Sequence, residues 1–410
     1  MPCLEDSAPL PGGDCCAVTH PPHFPALHAA WRNAARGKRR RPDVCAFESA
    51  LAENLLQLES ELAEGRWRPA PYRCFEAVEN GKRRLIAAAP FRDRVVHHAL
   101  VDGLTPLWER RFPGWVAANR VGRGTHFALA LAQAAAARCT WVLQLDVTRF
   151  FPSVDHGLLL GQLARDVRCP RTWRAWERVV DSGRDIFPDL ARPAVPPGGG
   201  LLDLDRPRGL PIGNQTSQFL ANVVLHPLDR FICHQVKPEA ACRYVDDLVL
   251  LDRDRGKLEA ALPALKEELA RLRLRFHPDK TRLGPTREGF TFVGYRVFPW
   301  GVRQTREAVS RAHRHLHRAQ RQCLAGERSL EGARSVAAGL WGHARPAGGA
   351  AVAQLLDAHA FSFPERDPVA AWVLDSTTGQ ECRPGSAKGL FSVPADFDAP
   401  LPDDLLSHFR

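Results

Sequence analysis

No CxxC pair occurs among the 11 cysteines, which are odd in number and scattered, so neither a zinc site nor a disulfide framework is indicated. Reduced thiols in an intracellular protein fit that usage. No apolar run approaches the roughly 18 residues of a membrane span, so no membrane helix is expected. The N-terminus has acidic residues and prolines but no basic-then-apolar pattern, so no secretory signal and a cytoplasmic location are expected. Lysine is scarce, and arginine supplies nearly all the excess behind a net charge of +10 and a pI near 9.3. Arginine binds phosphate bidentately, which suits a nucleic-acid partner; GC-rich coding, enriching Ala, Arg, Pro and Gly together, accounts for the same excess. There is no internal repeat. What is present is a chain of 410 residues, 45% apolar, long enough for two or three domains with a substantial core.

The most informative stretch is Tyr244-Val245-Asp246-Asp247, framed by Cys242-Arg243 and Leu248-Val-Leu-Leu251. Val, Leu and Tyr favour strands and Asp favours turns, so the stretch predicts a hairpin with the Asp pair at its tip. Two carboxylates at roughly 4 Å and an effective dielectric of about 20 repel by about 4 kcal/mol. A hard cation such as Mg²⁺, which takes one or two carboxylates plus substrate phosphates, would hold them together. A solvated Asp-Asp turn is the alternative. A third acid ends another predicted strand, Thr140-Trp-Val-Leu-Gln-Leu-Asp146, about a hundred residues upstream.

Residues 1–25 show no periodicity and read as a loose tail, followed by the basic run Arg36-Gly-Lys-Arg-Arg-Arg41. Phe47, Leu51, Leu55, Leu58 and Leu62 predict one amphipathic helix closed by Gly65. Asn80-Gly81 between β-type residues predicts a hairpin that places Lys82 and Arg84 on the returning strand. Arg92 and Arg94 start a helix at Phe91, and the loop Asn119-Arg-Val-Gly-Arg123-Gly-Thr-His126 leads into an Ala-rich helix whose start can bind phosphate. Residues 182–208 are an irregular Pro/Gly connection ahead of a turn and apolar helix at Gly209-Leu-Pro-Ile212-Gly213-Asn-Gln215-Thr-Ser-Gln218. A leucine-spaced helix follows the Asp pair, with Pro263 implying a kink or a later start. Then come a loop presenting Lys280, an alternating hairpin at 290–298, and a helix from 306 with the stripe Val309, Ala312, Leu316 and Ala319. Arg311, Arg314, Arg318 and Arg321 occupy its other faces. His313 and His317 lack an acidic or Cys partner in the sequence nearby, which disfavours a shared metal.

Taken in order, Asp146 with Phe150-Phe151-Pro-Ser-Val-Asp155, the Gly-Leu-Pro-x-Gly helix, Tyr-x-Asp-Asp, Lys280 and Phe292-Val293-Gly294-Tyr295 resemble the reverse transcriptases over about residues 45–345. The blocks at 91–96 and 122–126 resemble those of bacterial, group II intron-related members. Most of the family has Gln-Gly…Ser-Pro at the nucleotide-facing helix; Ile-Gly-Asn-x-Thr-Ser-Gln here is similar to the enzymes of diversity-generating retroelements.

That resemblance implies an α+β, right-hand polymerase fold. Its parts would be a flexible basic tail (1–42), fingers (43–140), a palm of antiparallel sheet plus helices (141–299), a helical thumb (300–345) and a C-terminal tail (346–410). It implies Asp146, Asp246 and Asp247 as the catalytic acids, with the Val147 backbone among the metal ligands, two Mg²⁺ ions (Mn²⁺ as substitute) and Lys280 as proton donor to pyrophosphate. Lys82, Arg84, Phe150, Phe151, Ile212, Gly213 and Gln215 would line the nucleotide, Phe151 excluding a ribose 2′-hydroxyl. Phe292, Val293, Gly294 and Tyr295 would grip the primer, and Arg92, Arg94, Arg123, Arg311, Arg314 and Arg318 would hold the nucleic-acid backbone. The implied partners are an RNA template, an RNA–DNA hybrid, deoxynucleoside triphosphates and a small basic oligomeric accessory protein. Retron, phage-defence and intron enzymes are alternatives, as is a catalytically silent RNA-binding scaffold. The absence of an endonuclease signature after residue 345 weighs against the mobile intron.

Overall fold

The computed structural model describes residues 17–79, 82–184, 186–187 and 206–348. Three helices open it: α1 (Phe24–Ala35), α2 (Pro42–Glu48) and α3 (Leu51–Ala63), with α1 and α2 packed on the long α4 (Phe91–Arg111). The expected flexible tail is therefore corrected over its second half, because Leu27, Ala30, Trp31 and Ala34 give α1 an apolar stripe that fills the core. The single helix expected from Phe47 is two. Ser49 Oγ donates to the Ala46 carbonyl (2.9 Å) and Asn54 Nδ2 to that of Phe47 (3.0 Å), ending α2 before α3 begins.

β1 (Arg73–Glu79) and β2 (Lys82–Ala88) pair antiparallel from Arg73↔Ala88 to Glu79↔Lys82, as the hairpin reading expects; Asn80 and Gly81 lie outside the described residues. α5 (Thr125–Ala136) buries Ala128, Ala132, Ala135 and Ala136, small side chains that let it lie close against the central sheet. β3 (Trp141–Asp146) is followed by α6 (Phe150–Ser153), α7 (His156–Leu163) and α8 (Pro170–Asp181). Most of the Pro/Gly connection, 188–205, is outside the described residues. α9 (Gln215–Phe231) then leads to β4 (Ala240–Tyr244) and β5 (Asp247–Asp252). α10 (Arg255–Arg271) runs through Pro263 and starts no later, since Asp254 accepts from the Gly256 amide at 2.8 Å and fixes its first turn. β6 (Arg282–Pro285) completes a sheet of order β4-β5-β3-β6 in which every neighbouring pair is antiparallel.

The sheet is apolar on both faces because both are covered. Leu143, Leu145, Leu248 and Leu250 enter the large core with α4 and α7 to α10. Val142, Val249 and Leu251 enter a second core with α5 and the hairpin of β7 (Phe290–Phe292) and β8 (Tyr295–Phe298). β9 (Gly301–Gln304), which the sequence pattern did not reveal, extends that hairpin to three strands. α11 (Arg306–Leu324) and α12 (Leu330–Ala344) form a third cluster through Ala312, Leu316, Ala319, Val336 and Leu340. No helix among the described residues is long and apolar enough to cross a membrane.

One buried ion pair ties the sheet to the helices. Arg243 of β4 and Asp229 of α9, 1% and 0% exposed, meet in a two-pronged contact at 2.7 and 2.5 Å. Removing one partner leaves a buried charge alone, so Asp229→Ala is expected to lower stability by about 3–5 kcal/mol. Urea unfolding measures this, and a loss below about 1 kcal/mol would contradict the ion pair's structural role.

Candidate active site

Register brings the acids together. In the β3–β5 pair Asp146 lies opposite Asp247, and in β4–β5 Tyr244 lies opposite Asp247, which leaves Val245 and Asp246 as a two-residue turn. Asp146 and Asp247 share the sheet face of Val142, Val249 and Leu251, by the alternation of strand side chains. Val245 has φ +57°, a strained value for a β-branched residue that costs on the order of 1–3 kcal/mol. Arg243 holds it there: Nη1 donates to the Val245 carbonyl (2.9 Å) and to Asn222 Oδ1 (3.0 Å) while Asp229 neutralises the guanidinium. Arg243, Asn222 and Asp229 are absent from the sequence-derived site. A charged residue in the middle of an apolar strand was the available signal, because a buried charge requires a partner.

The carboxylates are electrostatically unsettled. Burial pushes Asp246 up to about 6, with repulsion from Asp146 adding to it and Arg84 and Lys280 opposing it. Burial pushes Asp247 up to about 7, partly offset by the Val293 amide, which donates to its Oδ2 at 3.0 Å. Lys280 Nζ sits 2.6 Å from Asp146 Oδ2, a cation placed where the acids call for one. Among the described residues no three His, Cys, Asp or Glu side chains converge into a metal cage. The site thus fits a cation held by two carboxylates with substrate phosphate completing the shell, as Mg²⁺ prefers, and Asp247 lies one step back on the Val293 amide. Val147, the expected backbone ligand, is buried and bridges to Phe276.

Around this centre the structure leaves some of the expected residues accessible and buries others. Lys82 opens β2, but its side chain lies outside the described residues; Arg84 is exposed on the same strand. Phe151 is half-buried, whereas Phe150, 2% exposed, is a core residue supporting it edge-on at 5.3 Å and is not free to line a nucleotide. The Ile212 carbonyl accepts from the Ala87 amide (2.9 Å). Gly213, at φ +105°, has no room for a side chain, since a Cβ would lie 2.9 Å from Ile86 Cγ2. Buried Asn214, which the sequence reading passed over, donates to the Ala87 carbonyl (2.7 Å) and accepts from the Ala89 amide (3.2 Å), tying the start of α9 to β2. Gln215 begins α9 with its Oε1 buried and without a hydrogen-bond partner among the described residues.

The primer-grip residues divide likewise. Val293 and Gly294, at φ +50° and +81°, form the tight turn between β7 and β8. Phe292 and Tyr295 are buried, so their side chains do not reach a primer; the Tyr295 hydroxyl donates to the His343 carbonyl (2.5 Å) and couples the hairpin to α12. Arg92, Arg94 and Arg123 are also corrected. Arg92 pairs with Glu61 (2.8 Å), Arg94 donates to the Ala89 carbonyl (2.8 Å), and Arg123 donates to the Gly114 carbonyl and lies over Phe127, so all three brace the fold. Arg314 and Arg318 are exposed on α11 and Arg311 is half-buried.

Residues 76–297 match the family described as reverse transcriptase (RNA-dependent DNA polymerase). The chain is 27% identical over 293 residues to Protein YkfC of Escherichia coli (strain K12), covering 61% of this chain and 73% of that protein. It is 22% identical over 238 residues to the Group II intron-encoded protein LtrA of Lactococcus lactis subsp. cremoris, covering 56% and 37%. It is 26% identical over 137 residues to Nuclear intron maturase 2, mitochondrial, of Arabidopsis thaliana, covering 30% and 19%. The chain therefore spans well under half the length of the two intron-related proteins.

The raised Asp247 carboxyl makes a prediction with a defined sign. A carboxyl whose folded pKa is raised costs stability above its ordinary value of about 4 and nothing below it. Asp247→Asn, which keeps the acceptor for Val293, is expected to melt several degrees above the intact protein in EDTA at pH 8. The difference should close as pH falls toward about 4. Thermal melts across that range decide it, and an Asn variant melting lower at pH 8 would contradict the account.

Proposed function

The chain belongs to the reverse transcriptase family of RNA-dependent DNA polymerases, and we propose that it is the error-prone enzyme of a diversity-generating retroelement. As an RNA-directed DNA polymerase with the right-hand fold, it takes an RNA template and deoxynucleoside triphosphates. The observation that carries the catalytic reading is the cross-strand pairing of Asp146 with Asp247, with Asp246 in the adjoining turn. In this reading residues 43–140 are fingers, 141–299 palm and 300–345 thumb.

Members of the family use divalent metal ions. Asp146 and Asp246, with the Val147 carbonyl, would hold two Mg²⁺ ions, which when bound lower the pKa of the primer 3′-hydroxyl and neutralise the triphosphate. Lys82 and Arg84 meet the β- and γ-phosphates and counter charge developing on the leaving group. Lys280, which pairs with Asp146, would give a proton to departing pyrophosphate. Phe151, backed by Phe150, closes the space a ribose 2′-hydroxyl would occupy. Arg311, Arg314 and Arg318 hold the RNA–DNA hybrid by its backbone.

The retroelement assignment rests on Ile212-Gly213-Asn214-Gln215-Thr216-Ser217-Gln218. An apolar Ile212 where most of the family carries Gln would remove a polar contact that helps fix the incoming nucleotide, a physical route to lower fidelity; the bias to errors opposite template adenine is what the resemblance to the retroelement enzymes implies. A small basic oligomeric accessory protein and a cytoplasmic site of action belong to the same proposal. An intron-type enzyme is the second reading, favoured by the names of the intron-encoded relatives. Sequencing of cDNA made on a defined RNA separates them: errors concentrated at adenines support the retroelement, and a low, even error rate supports the intron type.

Two substitutions test the residue roles. Ile212→Gln is expected to reduce misincorporation opposite adenine, and an unchanged error spectrum in sequenced extension products would sink the fidelity argument. Phe151→Ala is expected to raise ribonucleotide use relative to deoxynucleotide use by about 10-fold or more in single-nucleotide extension, and an unaltered ratio would remove its gating role.

A further inference from the structure

α8 buries Thr172, Ala175, Trp176, Val179 and Val180, and Arg171, Arg174 and Arg178 run along its other side. Their spacing of three and four places them in one row, rising about 5 Å per step. The connection after α3 lies against this row. Arg178 Nη1 donates to the Gly65 carbonyl (2.9 Å) and to that of Trp67, and a Cβ at Gly65 would lie 3.5 Å from Arg174 Nη1. Arg68 follows in the same connection. Burial, then the charges of Arg68 and Arg174, hold the Arg178 guanidinium below its usual range.

Arg68, Arg171 and Arg174 are exposed, and no carboxylate pairs with any of them among the described residues. Glu177, the acid within the row, accepts from Trp173 Nε1 at 2.8 Å. Guanidinium groups in excess over the single carboxylate of Glu177 repel, and a polyanion relieves that repulsion; guanidinium groups match phosphate oxygens in pairs. The row is carried by a helix that packs chiefly against α3 and α7, not on the strands that bear the acids. The apolar residues of α8 fill the large core, which covers the sheet face opposite Asp146 and Asp247.

We propose that Arg68, Arg171 and Arg174 form a second RNA-binding surface, which holds the phosphate backbone of the template outside the catalytic cleft. This rests on the chain being an RNA-copying polymerase. A nucleic acid reaching both places must extend around the sheet, so the surface favours long RNA over a short primer–template.

The test uses the full chain, the triple variant Arg68→Gln/Arg171→Gln/Arg174→Gln, and two fluorescent probes read by anisotropy across a salt series. One probe is a DNA primer on an RNA just long enough to fill the cleft, and the other is the same duplex with long RNA extensions. The intact protein should bind the long probe tighter. For the variant, the slope of log affinity against log salt on the long probe should shrink by about 2, from three lost phosphate contacts. Binding and extension of the short probe should stay unchanged. The corresponding triple Lys variant, which keeps the charge, should retain the slope. Unchanged long-probe affinity and slope would overturn the proposal, as would equal losses in the Gln and Lys triples, or a surface that retains an acidic protein but not RNA. Failure of the polymerase reading looks different, because the intact protein would then not extend the short primer at all.

Discussion

Mutual repulsion of carboxylates at the end of an apolar sheet is the constraint around which the molecule is arranged. Asp146 and Asp247 face each other across a strand pair and Asp246 is fixed in the turn beside them. Burial and like charge both work against the ionisation of Asp246 and Asp247. The strand residues supply the energy that keeps them in place, since Leu143, Leu145, Leu248, Leu250 and Leu251 are each 0–1% exposed apart from Leu248 at 2%. Sliding the register by one residue would exchange Leu143, Leu145, Leu248 and Leu250 with Val142, Val249 and Leu251 between two cores packed by different partners, so close packing on both faces enforces an electrostatically costly arrangement. The same burial makes the site responsive to a cation, because a positive charge at the acids removes a cost already present.

The immediate surroundings of the acids distribute their support. Arg243 grips the turn carbonyl from within the protein, the Val293 amide takes Asp247, and Lys280 takes Asp146. Further out, Asn214 and Gly213 join the start of α9 to β2, and Tyr295 joins the β7–β8 turn to α12. Side-chain-to-backbone hydrogen bonds therefore join the hairpin of β1 and β2 to α9 and the β7–β8 hairpin to α12, and the Val293 amide joins that hairpin to Asp247. Substitutions at these joints act on position, whereas substitutions at Asp146 and Asp246 act on charge.

The hairpin at 244–247 was legible because an Asp pair between Tyr, Val and Leu satisfies strand and turn preferences at once. Asp146 was legible as a strand end, and the strands from 290 to 298 as an alternating pair. Phe292 and Tyr295 were misjudged because alternation divides a strand into two faces without saying which is covered. Arg92, Arg94 and Arg123 were misjudged for a related reason. A basic residue near a loop carries the same sequence signal whether its partner is a phosphate or, as here, Glu61, the Ala89 carbonyl and the Gly114 carbonyl. The α2–α3 break depended on Asn54 reaching back to Phe47, a local competition with the helix that apolar periodicity does not register.

The central claim is that the strand register exists to present Asp146 and Asp246 to cations shared with a triphosphate. Mn²⁺ uptake followed by electron paramagnetic resonance tests it most directly, using the protein with an RNA–DNA primer–template and a non-hydrolysable deoxynucleoside triphosphate. The account predicts bound Mn²⁺ in the complete complex, little without the nucleotide, and loss of that uptake in Asp146→Asn and in Asp246→Asn with folding intact. Equal Mn²⁺ uptake by the intact protein and both variants would contradict it.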